Sequence, residues 1–371
     1  MTVSNFHNVP VVAYSGEKDI QEQAADVMEE ALKAKGIGLV HLVGPKTGHS
    51  YHPETKAELS GIIDRLAAKG RDRVPKRVRF TTYSLRYNEA SWVDIEGMEE
   101  HWKPAKVDAT IKDGDIRITT ENVSLLNLRF GPGDSPLTPS SSVVIDGVAF
   151  KIEGKDMLSD RSFHLRMRKG GSRWREDNGF WLVAQKRPGQ QGPIDDAFLS
   201  RFLIVRPTGK PMHEKTGKWA KAEMDRAIRE WRRQFRGDAL VKDDKDVTKE
   251  DIASSNLVLW GDPSSNSLIK RVLPKLPLEW DAKALSLAGK THESAGHMPA
   301  LVYPNPLSGG RYVVLNSGVT YREYDYLNNA RQHAKLPDWA VIDLSEPQGT
   351  RWPGRIADAD FFDERWQPKK R

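Results

Sequence analysis

The stretch VPVVAYSG, residues 9–16, decides the first part of the fold. It is a continuous apolar run that ends in glycine, a pattern typical of a buried strand in a parallel sheet. Apolar residues at helical spacing follow over residues 20–32, and the run IGLVHLV, residues 37–43, predicts a second buried strand. A second helix opens at Pro53. Strand, helix, strand and helix in this order predict a piece of an α/β sheet.

Two further zones differ in pattern. Short β-branched and aromatic runs, joined twice by Asp-Gly turns at Asp113-Gly114 and Asp146-Gly147, predict an antiparallel β-sandwich-like domain. Beyond residue 188 the alternation of strands and helices returns and predicts an open α/β domain with a mainly parallel sheet. The predicted class is therefore multidomain, mixed α/β and β. The predicted domains are 1–72 (a partial α/β sheet), 73–187 (β-rich) and 188–371 (C-terminal α/β).

Composition excludes several classes of protein. The chain has 371 residues and no cysteine, which excludes disulfides, thiolate metal sites and a cysteine nucleophile. A net charge of +6 is small for this length, and the densest basic stretch, residues 65–80, carries no nucleic-acid-binding motif. We therefore expect no nucleic-acid partner. No apolar run approaches the ~18 residues that cross a bilayer, so no membrane partner is expected either, and the localisation stays open.

Two polar residues follow the two predicted strands. Asp19 lies just after the first strand, and His49 lies in the Gly-bounded loop after the second. In open α/β sheets, active groups collect at the carboxyl ends of strands. In hydrolases that carry a Ser-His-acid triad on such a sheet, the chain order is nucleophile, acid, base. The acid orients the imidazole, and the imidazole takes the proton of the nucleophile. Asp19 and His49 are therefore predicted to be acid and base. The alternative is that Asp19 caps the next helix and His49 is an ordinary loop residue.

The same stretch resembles a known family. The runs NVPVVAYSGEKDIQEQAADVMEEAL (8–32) and GLVHLVGPKTGHSYHPE (38–54) resemble the end of an α/β-hydrolase domain of the prolyl oligopeptidase family. There a Gly-x-x-Asp segment follows the penultimate strand and a Gly-His loop follows the last. Asp19 thus matches the triad acid and His49 the triad histidine, with His52 as a second candidate.

The resemblance covers under a fifth of the chain. It identifies residues 1–72 as the C-terminal part of an α/β-hydrolase domain. It implies a serine peptidase or esterase that cleaves peptide or ester substrates through an acyl-enzyme, without a cofactor. The later zones resemble the long C-terminal extensions of bacterial prolyl oligopeptidase-like proteins.

One part of the family pattern is missing. The nucleophile lies on a Gly-x-Ser-x-Gly turn upstream of the acid, and this chain contains no such pentapeptide. We therefore expect the C-terminal portion of a longer hydrolase, inactive alone without the segment that bears the nucleophile. Two strands of a larger sheet would expose an apolar edge that can pair with another chain. The alternative is a non-catalytic accessory or binding protein that recognises a polymer or a protein partner.

A second pair of histidines resembles a metal motif but departs from its spacing. His292 and His297, in HESAGH, are five residues apart, whereas HExxH needs four to place both rings on one helix face. The flanking residues indicate a loop in which the two rings lie apart. We expect no metal there.

Overall fold

The structure is a computed structural model that describes residues 3–171, 173–179 and 184–369. The chain divides into two compact units, Met1–Phe180 and Trp181–Arg371. None of the helices in the described ranges combines the length and the hydropathy that a bilayer span requires. The three domain ranges expected from the sequence stay a prediction.

The first unit contains two α-helices and twelve strands within its described residues. In chain order they are β1 (Val12–Gly16), α1 (Gln23–Lys33), β2 (Val40–Gly44), α2 (Pro53–Lys69), β3 (Arg77–Thr82), β4 (Glu89–Ala90), β5 (Val93–Met98), β6 (Ala105–Lys112), β7 (Asp115–Glu121), β8 (Val123–Phe130), β9 (Ser142–Ile145), β10 (Val148–Lys151), β11 (Phe163–Gly170) and β12 (Arg173–Glu176).

Strands β1 and β2 form a two-stranded parallel sheet, with Val12 opposite Val40 and Gly16 opposite Gly44. The order of strands and helices agrees with the sequence prediction, but the expected burial of these elements does not. Both strands are only partly buried, α1 buries Leu32 alone, and α2 has no fully buried residue. The apolar faces of this α/β piece therefore remain largely exposed.

The strands from β3 to β12 form a sandwich of two five-stranded sheets. Their orders are β10-β9-β7-β6-β3 and β12-β11-β8-β5-β4, and both sheets contribute to one apolar core. The turns at Asp113-Gly114 and Asp146-Gly147 join β6 to β7 and β9 to β10, with positive φ at all four residues. Such turns suit the twist of a hairpin, which explains why Asp-Gly predicted them.

The second unit contains the larger sheet. Its elements are β13 (Phe202–Arg206), α3 (Glu214–Phe235), β14 (Val241–Asp243), α4 (Lys249–Ser254), β15 (Asn256–Leu259), α5 (Ser267–Val272), β16 (Leu278–Trp280), β17 (Ala284–Leu287), β18 (Lys290–Glu293), β19 (His297–Pro304), β20 (Tyr312–Leu315), β21 (Trp339–Asp343) and β22 (Arg355–Asp360).

Seven of these strands form the sheet β14-β13-β15-β20-β19-β21-β22, and β16, β17 and β18 form a small antiparallel sheet. The pairings from β14 to β20 are parallel, and those from β20 through β19 and β21 to β22 are antiparallel. Every residue of β15, β20 and β21 is buried. The predicted class, multidomain with mixed α/β and β parts, is confirmed. The sheet that was expected to be mainly parallel has three parallel and three antiparallel pairings, because β19, β21 and β22 follow without crossover helices between them.

Candidate functional site

Two glycines hold the loop of residues 44–52 close to the end of β1. A Cβ atom at Gly16 would overlap the carbonyl oxygen of Gly48, and one at Gly44 would overlap the hydroxyl of Tyr14. The Lys18 N–H also donates to a carbonyl of this loop, at 2.8 Å. The backbone therefore approaches more closely than any larger residue would allow, and the loop is fixed beside the segment that follows β1.

Tyr14 ties the same loop to β1 from a second side. Its hydroxyl donates to the carbonyl of Ser50, at 3.0 Å, and accepts the backbone N–H of His52, at 2.8 Å. Its ring lies 4.6 Å from that of Tyr51, measured between centroids. The position of His49 within the loop is thus set by contacts on both sides of it.

The structure brings Asp19 and His49 together. His49 Nδ1 donates to Asp19 Oδ2 at 2.8 Å, and the backbone N–H of Gln21 donates to Asp19 Oδ1 at 2.9 Å. The backbone N–H of Asp19 in turn donates to the carbonyl of Gly16, at 2.9 Å. Both carboxylate oxygens are therefore engaged, and the carboxylate is oriented before it meets the imidazole.

Helix capping does not explain Asp19. The residue that precedes α1 as its N-cap is Glu22, and the Asp19 side chain accepts the N–H of Gln21, which lies before the helix. The carboxylate closes a local turn, a common arrangement for Asp. Oδ1 is used in this turn, and Oδ2 accepts the hydrogen bond from His49.

The hydrogen bonds at Asp19 favour its ionised form. The N–H of Gln21, and then the hydrogen bond from His49, lower the pKa of the Asp19 carboxyl below its usual value. An ionised carboxylate that accepts from Nδ1 fixes the imidazole tautomer in which Nε2 carries a lone pair.

The other ring nitrogen of His49 is available. The His49 side chain is 79% exposed, and its Nε2 atom has no hydrogen-bond partner among the described residues. The Nδ1 atom of His52, the second candidate, is buried and has no hydrogen-bond partner among the described residues. The backbone N–H of His52 donates to the hydroxyl of Tyr14 and not to Asp19. The carboxylate therefore selects His49.

A second imidazole contact, between Ser15 and His41, was missed by the sequence reasoning. Ser15 Oγ lies 2.5 Å from His41 Nε2, and Ser15 is 6% exposed. His41 on β2 pairs with Ala13 on β1, and Ser15 lies two residues after Ala13 on the same face of the sheet. Tyr14 lies on the other face. Within the described ranges no carboxylate contacts His41. Strand register, had it been predicted, would have revealed this pair.

The structure also corrects the prediction for HESAGH. His292 lies on β18 and His297 begins β19, and their ring centroids are 4.9 Å apart. The prediction that the rings lie apart is wrong, because a tight strand-to-strand connection folds one residue back over the other. The residues that the structure describes contain no group of three or more side chains suited to hold a metal ion.

Comparisons with family models, curated proteins and solved structures each found no match. The resemblance to the prolyl oligopeptidase family therefore rests on the residues around Asp19 and His49 alone.

Proposed function

We propose that residues 12–69 carry the acid and the base of a serine-type hydrolase of the prolyl oligopeptidase type, with Asp19 as the acid and His49 as the base. One observation carries the proposal: the 2.8 Å hydrogen bond from His49 Nδ1 to Asp19 Oδ2, combined with an Nε2 atom that is free of described partners. An oriented acid behind an accessible base is what general base catalysis on a hydroxyl requires.

The chemistry follows from the direction of this hydrogen bond. With its proton on Nδ1, the imidazole can take the proton of a serine hydroxyl at Nε2 while the serine oxygen attacks the acyl carbon. The resulting imidazolium is stabilised by Asp19, whose lowered pKa keeps it negatively charged. The imidazolium then gives its proton to the leaving amine or alcohol, and the acyl-enzyme is hydrolysed by the same steps with water.

The nucleophile must come from another segment, since the chain has no Gly-x-Ser-x-Gly turn. Apolar side chains of the elements that carry the site are uncovered: Val40 and Val43 on β2 are 47% and 42% exposed, and Val27 on α1 is 49% exposed. In the described part of the chain, β1 and β2 pair only with each other, so each has one open edge. We propose that the segment bearing the serine covers this surface.

Fluorophosphonate labelling tests the proposal, because the label reacts only with an activated serine. The chain of 371 residues by itself is expected to stay unlabelled. The protein isolated from cells that express its natural gene is expected to be labelled, alone or together with a tightly bound second polypeptide. His49→Ala and Asp19→Asn in that gene should slow labelling at least about a thousandfold, whereas His52→Ala should leave it unchanged.

Three outcomes would contradict the proposal. If the isolated chain is labelled and Ser15→Ala abolishes this labelling, Ser15 and His41 are the reactive pair. Labelling that persists in His49→Ala would show that a base other than His49 activates the serine. Labelling that is absent from the natural gene product would favour the second candidate function. In that second function the chain is a non-catalytic binding protein. The uncovered apolar surface favours it, because a protein partner could cover this surface.

A further inference from the structure

An open pocket lined by three arginines lies in the sandwich of the first unit. It has a volume of about 330 Å³ and collects Arg71, Arg73 and Arg129. Arg71 and Arg73 belong to the segment between α2 and β3, and Arg129 belongs to β8. We refer to it as the arginine pocket. Nothing in the local sequence places these three side chains together, since the third is supplied by a distant strand.

Three carboxylates contact two of the three arginines of the arginine pocket. Arg73 forms an ion pair with Asp134 at 2.8 Å. Arg129 makes two longer contacts, 3.3 Å to Asp94 and 3.4 Å to Glu89. Arg71 forms no hydrogen bond or ion pair with any residue that the structure describes. Arg71 therefore presents a guanidinium group that contacts no carboxylate among the described residues, and Arg129 is held by its two longer contacts alone.

Ser91 adds an unsatisfied hydroxyl to the same lining. Its Oγ atom is buried and, within the described residues, has no hydrogen-bond partner. Ser91 lies in the two-residue turn between β4 and β5 with φ of 57°, a conformation that favours glycine at this position. A non-glycine residue with a buried, unused hydroxyl is costly for stability, and such costs concentrate where side chains serve binding.

We propose that the arginine pocket binds the phosphate group of a small phosphomonoester. A phosphomonoester carries close to two negative charges at neutral pH and three acceptor oxygens, which match the planar forks of Arg71 and Arg129 and the hydroxyl of Ser91. The stacked rings of Trp92 and Phe130, 5.3 Å apart, line the same pocket but are only 1% and 3% exposed, so the organic part of the ligand would face the open side of the pocket. A volume of about 330 Å³ accommodates a phosphate and a small attached group.

Titration calorimetry on the full chain with phenyl phosphate tests this inference, with inorganic phosphate and benzoate titrated at the same ionic strength. Phenyl phosphate is expected to bind saturably, one molecule per chain, with a Kd below about 1 mM. Inorganic phosphate should compete with phenyl phosphate for the same site, because the arginines and the hydroxyl contact the phosphate group, and benzoate should bind more weakly, because it carries a single charge.

Variants identify the residues involved. Arg71→Ala and Arg129→Ala should each weaken phenyl phosphate binding about tenfold or more, since each removes a charge-assisted contact. The matched control is Arg117→Ala, an exposed arginine on β7 outside the pocket, and its affinity should stay within about twofold of wild type. Ser91→Gly should raise the Tm, because glycine accepts the positive φ, and should still weaken binding.

Three results would overturn the inference. The first is the absence of saturable binding of phenyl phosphate. The second is an equal loss of affinity in Arg117→Ala, which would indicate general attraction to a basic surface. The third is benzoate binding as tight as that of phenyl phosphate. None of these results depends on whether Asp19 and His49 serve a hydrolase.

Discussion

The β1–β2 pair and the seven-stranded sheet of the second unit arise from the same kind of sequence but bury it to different extents. In both, an apolar strand precedes a helix with one apolar face, as β1 precedes α1 and β15 precedes α5. Val258 on β15 is fully buried, whereas Val40 and Val43 on β2 remain 47% and 42% exposed. In the larger sheet, β15 has a strand on each side, and in the pair each strand has one described neighbour. Apolar periodicity therefore predicts the side a residue takes, and the number of neighbouring elements decides whether it is buried.

The largest effect expected from this comparison concerns two isoleucines. Ile342 on β21 is fully buried and Ile63 on α2 is 52% exposed. Ile342→Ala should lower the free energy of unfolding of the second unit by about 2–5 kcal/mol, because it leaves a cavity in a packed core. Ile63→Ala should change stability by no more than about 0.5 kcal/mol. Urea unfolding measures both, and equal losses would show that α2 is covered in solution.

Carboxyl groups sharpen the comparison, because burial and hydrogen bonding shift their pKa in opposite directions. Burial in the second unit raises the pKa of Asp195 to about 6, against hydrogen bonds from Thr320, whereas hydrogen bonds lower the pKa of Asp19. Between about pH 4 and 6 the folded protein holds a proton on Asp195 that the unfolded chain has released. The stabilisation that this bound proton gives the folded state is therefore present below pH 4 and is lost as the pH rises through 6. The free energy of unfolding falls by up to about 3 kcal/mol over this range.

The variant Asp195→Asn isolates this pH effect, since an amide imitates the protonated acid. The free energy of unfolding of the wild type, minus that of Asp195→Asn, should fall as the pH is raised from 4 to 6 and stay constant above 7. Urea titrations at four pH values would measure the difference. A difference that does not change with pH would mean that Asp195 is better solvated than its surroundings indicate.

A smaller effect is expected in the β1–β2 region from Gly16→Ala. The added Cβ would overlap the carbonyl oxygen of Gly48, so the loop must move, at a cost of about 1–3 kcal/mol. The contact between Asp19 and His49 should weaken with it. Gly38→Ala is the matched control, because its Cβ would meet no atom within 4 Å. NMR spectra of the loop would report the movement, and unchanged His49 signals in Gly16→Ala would contradict the close approach.

Much of the fold could be predicted because it depends on local chemistry. Asp113-Gly114 and Asp146-Gly147 accept the positive φ that their hairpins need, and a two-residue signal is sufficient for that. Asp19 and His49 were placed together because the carboxyl ends of adjacent parallel strands share one edge of a sheet. Their chemical role remains a prediction, since proximity alone does not supply a nucleophile.

The features that escaped prediction depend on contacts distant in sequence. The partial exposure of β1 and β2 follows from which elements lie beside them, and periodicity carries no such information. The Ser15–His41 contact depends on strand register. Arg129 joins Arg71 in one pocket only through the packing of the sandwich. The close approach of the His292 and His297 rings depends on the turn that connects β18 to β19.

The smallest expected effect is on the carboxyl group of Asp19. In His49→Ala its pKa should rise toward the usual value yet stay below it, because the N–H of Gln21 is the larger cause of the shift and is retained. Carbon-detected NMR titration of the carboxyl group measures this. His52→Ala is the control and should leave the titration unchanged. A wild-type titration at the usual pKa would indicate that the hydrogen bonds at Asp19 are not maintained in solution.

The tautomer of His49 tests the central claim most directly, because a base for serine must carry its lone pair on Nε2. Nitrogen-15 NMR of the imidazole at pH 9 distinguishes the two tautomers. We predict that the proton resides on Nδ1 in the wild type and that this preference is lost in Asp19→Asn. A wild-type ring with its proton on Nε2 would contradict the assignment of Asp19 and His49 as acid and base.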